Sequence, residues 1–211
     1  MKLGIRDYDL GFDSHRVYDV RFGNDEIETV MTHDKKWVKV WINNTLNANE
    51  CRLSRLIVGL DIEWSPEFMH GSDHSVATLQ LSVGKSCLIY QILRATVIPQ
   101  ALRDFLVNPD FTFVGVGIKN DVQKLWNDWR LEVGNTKDLR SWAAKELGKK
   151  QLRGAGLKLL VKEVIGEEMD KPKNVTCSRW DSRVLTLKQV FYACLDAYLS
   201  FEIGRRLSAW Y

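Results

Sequence analysis

The sequence predicts a mixed α/β fold, in which a sheet made of an antiparallel meander and parallel strands is flanked by helices. A bounded apolar run at 56–64 is too short for a typical helix and suits a buried central strand. Strand patterns dominate before residue 99 and helical patterns after it, which is typical of a mixed fold. The 211 residues, 45% of them hydrophobic, suffice for one sizeable core, so we expect a single domain over 1–211.

The first 50 residues predict a hairpin followed by a helix, both belonging to that same domain. Two β-prone runs at 16–22 and 26–32 are joined by a short turn that contains Gly23. The helix that should follow carries Trp37 and Trp41 on one face.

The central strand at 56–64 is expected to begin a meander of three strands. The segments 76–83 and 86–92 alternate between apolar and polar residues and flank Gly84, which suits a tight turn. Downstream of the meander, we predict a helix at 99–108, a strand at 111–116, and helices at 120–131, 138–147 and 157–165. A capping box at Thr186 and Gln189 begins a last helix that extends to about Leu207.

Composition excludes several classes of protein. Only 14 Gly and 4 Pro interrupt the chain while 8 Trp and 8 Phe require burial, so collagen-like, low-complexity and disordered proteins are excluded. The net charge of +3 is too small to identify a polyanionic partner, but residues 137–188 carry 13 basic and 7 acidic side chains. This basic segment indicates either a nucleic-acid track or solvated helix faces.

No segment suggests a membrane or secreted protein. No apolar stretch approaches the roughly 20 residues that a membrane helix requires, and no apolar segment follows the first basic residues as in a secretory signal. The cysteines at 51, 87, 177 and 194 form no closely spaced pair, which is typical of reduced thiols. We therefore expect a cytoplasmic protein, with a nuclear location as the alternative.

Two acidic residues lie in the predicted central strand. Asp61 and Glu63 are two positions apart, so strand alternation directs both side chains to one face. Burying ionised carboxylates is costly unless they are paired or coordinate a metal. The pair therefore suggests a cation site, although a strand that ends with both acids in solvent explains it equally well.

Three further residues on other predicted elements are candidates for a catalytic or metal-binding role. Asp121 falls in the first turn of a predicted helix, where it is either a ligand or an ordinary residue favoured by the helix dipole. Tyr192 and Asp196 are four positions apart and share one face of the last helix, whose surrounding sequence is apolar. An unpaired Asp in such a stretch is unusual.

In this order, these residues resemble the DEDD group of 3′–5′ exonucleases, tyrosine subtype, and in particular the Werner-syndrome-type exonuclease domain. The three motifs of that family are matched by 58–64, 114–121 and 192–198. The family's approach to the third motif is matched by Cys177-Ser178, Trp180, Leu185-Thr186 and Gln189. The resemblance covers about 56–207 and implies an RNase H-like fold, whereas residues 1–50 match no motif of the family.

The resemblance implies phosphodiester hydrolysis with two divalent cations, Mg²⁺ or Mn²⁺. Asp61, Glu63, Asp121 and Asp196 would be the catalytic metal ligands, and Tyr192 would orient the attacking water. Two cations about 4 Å apart stabilise both the attacking and the leaving oxygen. Carboxylate oxygens suit Mg²⁺ or Mn²⁺ better than zinc.

Four residues are candidates for contacts with the nucleic acid itself. Arg153, Lys158 and Lys162 lie in the basic segment and are candidates for phosphate contacts along a single strand, although ordinary solvated side chains explain them equally well. Trp64 directly follows the acidic pair. It either stacks on the terminal base or packs in the core, which is the commoner place for a tryptophan.

We therefore expect a metal-dependent 3′–5′ exonuclease that acts on single-stranded nucleic acid with a free 3′ end, with RNA favoured over DNA. A Werner-type DNA exonuclease is one alternative, and a catalytically idle relative that binds nucleic acid or acts as a scaffold is another. The presence of all five motif residues argues against the idle relative.

The resemblance is to small stand-alone plant members related to exoribonucleases that clear fragments around the RNA-silencing complex. It implies RNA-silencing proteins as partners. It also implies a homo-oligomeric ring, such as a hexamer, as the alternative to a monomer whose own core takes up the aromatic residues of 1–50.

Overall fold

One mixed sheet of eight strands organises the part of the chain that the computed structural model describes, residues 4–8, 11–66, 71, 73–169 and 173–208. The strands are β1 (Ile5–Asp7), β2 (His15–Phe22), β3 (Asp25–Thr32), β4 (Ile57–Glu63), β5 (Thr78–Val83), β6 (Ser86–Tyr90), β7 (Thr112–Gly115) and β8 (Thr136–Asp138). Their order across the sheet is β1-β2-β3-β6-β5-β4-β7-β8. The predicted mixed sheet with flanking helices is confirmed.

The meander of β4, β5 and β6 is antiparallel, as predicted, and parallel pairs join it to the strands on either side. β3 pairs with β6, β7 with β4, and β8 with β7 in parallel. The opening hairpin is formed by β2 and β3, and the short strand β1 pairs with the outer edge of β2. Sequence patterns did not indicate β1 or β8, because a run of three residues shows no periodicity.

The helices are α1 (Lys35–Ala48), α2 (Gln100–Val107), α3 (Ile118–Trp129), α4 (Leu139–Glu146), α5 (Leu157–Leu160), α6 (Lys173–Thr176) and α7 (Leu187–Leu207). Asp34 caps α1 by accepting a hydrogen bond from the Lys36 backbone N–H at 2.8 Å. Thr186 and Gln189 form the predicted capping box of α7. The helix predicted at 157–165 is α5 followed by a π-helical turn at Val161–Ile165, and Gly166 ends it with a φ of 82°.

The core lies between the sheet and α7, which packs mainly on β4 and β5. Gly59 in β4 makes this contact close, because a Cβ atom there would lie 2.0 Å from the Ala197 carbonyl oxygen of α7. Tyr18 and Trp41 of the first 50 residues are buried in this same chain. Within the described residues, no helix is long and apolar enough to cross a membrane.

Candidate active site

Three of the predicted carboxylates meet where β4 passes under α7. Asp61 and Glu63 lie at the carboxyl end of β4, and Asp196 lies on the face of α7 that packs on this strand. One ligand oxygen from each carboxylate lies within 4.8 Å of the others, a spacing that could hold a metal ion. Glu63 and Asp196 are buried and Asp61 is half-buried, so the alternative of two solvated acids at a strand end is wrong for this pair.

Asp121 opens onto the same cleft from a different element. The cleft has a volume of about 430 Å³, and the three clustered acids and Asp121 are among its lining residues. Asp121 is in the first turn of α3, which begins after Gly117 adopts a φ of 79°. β7 lies parallel to β4 and leads into this helix. The helix therefore begins at the carboxyl ends of the two strands, where Glu63 also lies.

The electrostatics of Asp121 differ from those of an exposed carboxylate. Burial, together with the negative charge of Asp138, raises its pKa to about 7, although Arg140 acts in the opposite direction. Asp138 itself caps α4 by accepting from the Arg140 backbone N–H at 2.9 Å, and it also accepts from the Gly117 N–H at 3.1 Å. Asp138 therefore connects the beginnings of α3 and α4.

Tyr192 lies one helical turn before Asp196 but borders a neighbouring cavity. This cavity of about 230 Å³ shares the lining residue Met169 with the cleft. The buried Tyr192 ring contacts Phe191 edge-to-face, with the ring centroids 5.1 Å apart. The structure thus places Tyr192 beside the carboxylate cleft, in the wall of the neighbouring cavity.

Trp64 is not a core residue, so the core alternative for this side chain is wrong. It is 37% exposed and lines the cleft directly after Glu63. The Lys124 ammonium lies 5.1 Å from the centroid of its ring. Lys124 is in turn held by Asp128 at 2.9 Å, so the position of this cation is set by α3.

The structure separates the three basic candidates. Lys158 in α5 lines the cleft, and its side chain is exposed. Arg153 is exposed at the end of a short helical turn and is not among the described residues that line the cleft. Lys162 also lies away from this lining and pairs with Glu168 at 3.2 Å. A shared face for Lys158 and Lys162 therefore does not bring both to the cleft, because the backbone changes from α-helix to π-helical turn between them.

Residues 29–209 match the 3′–5′ exonuclease family, and this match covers most of the chain. The chain belongs to this family. Over 152 residues it is 36% identical to the mouse bifunctional 3′–5′ exonuclease/ATP-dependent helicase WRN, covering 72% of this chain and 11% of that protein. It is 32% identical over 152 residues to an Arabidopsis thaliana 3′–5′ exonuclease, covering 71% of this chain and 52% of the relative. The chain thus spans about a tenth of the mouse protein and about half of the plant protein.

Solved structures support the exonuclease fold. The catalytic core of RRP6 from Trypanosoma brucei aligns with a TM-score of 0.68 at 18% identity, covering 85% of this chain and 46% of that one. Escherichia coli RNase D, an exoribonuclease involved in structured RNA processing, aligns with a TM-score of 0.62 at 21% identity, covering 78% and 42%. At these identities the likeness is one of fold, and it agrees with the predicted RNase H-like architecture.

The segment before α7, which sequence motifs indicated only as an approach to the third motif, also contributes to the cleft. Thr176 lines the cleft, and Asp181 accepts a hydrogen bond from the Ser65 hydroxyl at 2.7 Å. Gln189 donates to the Ser178 hydroxyl at 3.1 Å and to the Arg179 carbonyl at 3.2 Å. These bonds fasten the segment to the end of β4 and to α7. Met169 and Ser200 also line the cleft, and no pattern in the sequence singled them out.

Proposed function

We propose that this chain removes nucleotides from the free 3′ end of single-stranded nucleic acid, using two divalent cations, Mg²⁺ or Mn²⁺. The convergence of Asp61, Glu63 and Asp196 within 4.8 Å is the observation that carries the proposal. Family membership supports the reaction class. We also propose that 1–211 acts as one nuclease domain, since all described strands belong to one sheet.

The donor set fits divalent cations of the hard type. Asp61, Glu63 and Asp196 offer clustered carboxylate oxygens, and Asp121 lines the same cleft with a fourth carboxylate. Oxygen ligands of this kind suit Mg²⁺ and Mn²⁺. When bound, such cations stabilise the negative charge that develops on the attacking oxygen, the leaving oxygen and the phosphoryl group.

The protein's own side chains supply position and orientation. The four carboxylates would hold the cations from β4, α3 and α7, so rigid parts of the fold would position the reacting phosphate. Tyr192, one turn before Asp196, orients the attacking water. Its hydroxyl is a poor base at neutral pH, so orientation is the role that we assign to it.

The strand enters through the open side of the cleft. Trp64 offers a partly exposed ring next to Glu63, and we assign it to stacking on the 3′-terminal base. Lys158 also lines the cleft and contributes a phosphate contact, without reading sequence. Arg153 and Lys162 lie outside this lining and are left out of the proposed contact set.

We propose RNA as the favoured substrate and DNA ends, as in Werner-type enzymes, as the second candidate. The resemblance to the Werner-syndrome-type exonuclease domain supports DNA, and the sequence resemblance to small plant exoribonucleases supports RNA. The same resemblance supports a cytoplasmic location, RNA-silencing partners and a homo-oligomeric ring. Tyr18 and Trp41 are buried within the chain, so those two aromatic residues do not require a second subunit. Light scattering, which separates one chain from six, tests the ring.

A side-by-side degradation assay tests the reaction and its substrate. Matched labelled RNA and DNA strands, each with a free or a blocked 3′ end, are incubated with Mg²⁺, Mn²⁺ or EDTA. We expect stepwise shortening of free 3′ ends only, faster for RNA, and none in EDTA or with the Asp196→Ala variant. Shortening of blocked strands, or full activity in EDTA, would contradict the proposal.

A further inference from the structure

A second pocket lies at the same end of the strands as the carboxylate cleft, where β3, β4 and β6 have their carboxyl ends. It has a volume of about 70 Å³ and is lined by the start of β2, the end of β3, the residues after β6, and Arg183 and Val184. None of its lining residues belongs to the lining of the cleft. The proposed reaction therefore leaves this pocket unexplained.

Strand pairing fixes where the pocket lies relative to Glu63. Glu63 pairs with Thr78 in β5, the adjacent Leu79 pairs with Tyr90 in β6, and Tyr90 pairs with Thr32 in β3. Thr32 lines the pocket, and Glu63 lines the cleft. Neighbouring strands lie about 4.8 Å apart, so the three steps from β4 to β3 separate the two sites by roughly 14 Å. A single strand of a few nucleotides can span such a distance.

The pocket is rich in arginine. Arg16, Arg94 and Arg183 line it, and Asp13 is the one carboxylate in the same lining. Arg16 pairs with Asp7 at 3.4 Å, whereas neither Arg94 nor Arg183 forms an ion pair with any residue in the described part of the chain. Burial and the charges of Arg94 and Arg183 lower the pKa of His33, which also lines the pocket.

The guanidinium group of Arg94 is held in place by neutral partners. Its Nη1 donates to the Gln91 Oε1 at 3.1 Å and to the Arg183 carbonyl at 2.8 Å. Gln91 is buried, and its own amide nitrogen donates to the same carbonyl at 3.4 Å. These hydrogen bonds fix the position of the Arg94 guanidinium through uncharged groups, so its positive charge is retained for recognition of an anion.

The stacked rings of Phe12 and His15 line the pocket. Phe12 is 58% exposed and stacks on His15, with the ring centroids 5.2 Å apart. His15 stacks in turn on Trp37 at 3.6 Å, so the ring of Phe12 is supported from behind. Ordered cations next to an exposed aromatic ring are the features by which proteins bind single-stranded nucleic acid.

We propose that this pocket is an upstream binding site for the substrate strand, in which Arg94 and Arg183 contact a phosphodiester and Phe12 stacks on a base. The bound nucleotide lies on the 5′ side of the nucleotide being removed. This inference rests on the proposed function.

The segment before α7 connects the two sites. Thr176 lines the cleft and Arg183 lines the pocket, so the chain between them follows the same edge of the sheet. Its Asp181 is bonded to Ser65, two residues after Glu63. A nucleic-acid substrate that follows this segment from the cleft therefore reaches the pocket along the surface of the protein.

Charge reversal at Arg183, with a matched control, tests the upstream site. Arg183→Glu is compared with Arg55→Glu, which makes the same charge change at an exposed arginine before the opposite end of β4. Binding of a labelled 12-nucleotide RNA is measured in EDTA at several salt concentrations. We expect Arg183→Glu to weaken binding roughly tenfold and to reduce the salt slope by about 0.7, the loss of one phosphate contact on a single strand. Arg55→Glu should bind as the wild type does.

Hydrolysis distinguishes the upstream site from the cleft. A dinucleotide cannot reach the pocket, so the ratio of kcat/KM for the 12-mer to that for the dinucleotide should fall about tenfold in Arg183→Glu and also fall in Phe12→Ala. Equal losses on both substrates, or 12-mer binding equal to that of the Arg55→Glu control, would overturn the upstream site. A wild-type protein that binds the 12-mer through Arg183 but hydrolyses neither substrate would overturn the proposed function and leave the site standing.

Discussion

Two buried acidic side chains of α7, Asp196 and Glu202, differ in how their charge is compensated. Asp196 belongs to the cleft group, in which its carboxylate, Asp61 and Glu63 lie within 4.8 Å of one another. Glu202 lies further along the same helix and accepts hydrogen bonds from Arg205 at 2.6 and 2.7 Å and from Arg206 at 2.8 Å. The helix thus carries one acid among other acids and one acid among arginines.

The pKa of Glu202 reflects its two arginine partners. Burial acts to raise the pKa of Glu202, but the bonds from Arg205 and Arg206 bring it below its ordinary value. Asp121 lines the same cleft from α3, outside that group, and burial with the charge of Asp138 raises its pKa to about 7, although Arg140 acts in the opposite direction. The comparison teaches that the chain supplies its own cations where an acid is structural, whereas it gathers acids together where a cation from solution is to be held.

Removing a cleft acid should have the largest effect on activity. Asp61→Ala or Asp196→Ala deletes a proposed metal ligand, and we expect hydrolysis to fall by ~10³-fold or more. The free energy of unfolding should be equal to or higher than that of the wild type, because repulsion among the acids is relieved. Rate assays with Mg²⁺ and chemical denaturation measure the two quantities.

The matched change in the other group should give the opposite pattern. Glu202→Ala leaves two arginines without their partner and should lower stability while hydrolysis is retained. If Asp196→Ala kept near wild-type turnover, or if Glu202→Ala alone abolished it, the division between the two groups would be wrong.

Gly59→Ala tests the packing that brings the cleft acids together. The added Cβ would lie 2.0 Å from the Ala197 carbonyl, so β4 and α7 must separate, and we expect a loss of at least ~3 kcal/mol in unfolding free energy. Gly154→Ala is the control, since a Cβ there meets nothing within 4 Å. Urea denaturation of both variants provides the measurement. Equal stability of the two would mean that α7 does not depend on this close approach.

Much of this architecture was predictable because local sequence patterns determine it. The buried run at 56–64, the turn at Gly84 and the capping box at Thr186 each determine an element through nearby residues. The pairing of β3 with β6 had no such signal, since it joins segments far apart in the chain. The same holds for β1 and β8, whose three residues take their conformation from their neighbours.

The candidate site shows the same limit. Motif order was enough to predict Asp61, Glu63 and Asp196, and the structure brings these acids together. Exposure depends on the packing of several elements, so the sequence did not reveal that Trp64 faces the cleft or that Lys162 lies away from it. The arginine pocket was missed for the same reason, because its cations come from three separate segments.

Tyr192→Phe tests whether the Tyr192 hydroxyl has a role distinct from that of the cleft acids. The change keeps the ring that packs on Phe191 and removes only the hydroxyl, so we expect kcat to fall about 10²-fold with little change in metal affinity. Single-turnover rates and titration with Mn²⁺ measure the two effects. A parallel loss of metal binding would make Tyr192 a support for Asp196 instead of an orienting group.

Two lysines that are four positions apart should differ in their effect on binding. Lys158 lines the cleft, and we expect Lys158→Glu to weaken all single strands alike and to reduce the salt slope by about 0.7. Lys162 pairs with Glu168 on the surface, so Lys162→Glu is the matched control and should change affinity little. Salt titrations of RNA binding compare them. An unchanged salt slope in Lys158→Glu would mean that Lys158 is an ordinary solvated side chain and makes no phosphate contact.

The smallest expected effect concerns the arginine-compensated acid and its dependence on pH. The folded pKa of Glu202 is below its ordinary value of 4.5, so its contribution to stability is present above about pH 4.5 and is lost as the pH falls through the folded pKa. We expect Glu202→Gln to cost ~1 kcal/mol at neutral pH, since both arginines are partly exposed, and to approach the wild type in acid. Asp25 also has a lowered pKa, from its hydrogen bonds with Lys85 and Tyr198, but it is common to both proteins and cancels in their difference. Urea denaturation between pH 3 and pH 7 measures that difference, and a gap that stayed constant or widened in acid would show that Glu202 is not stabilised by its charge.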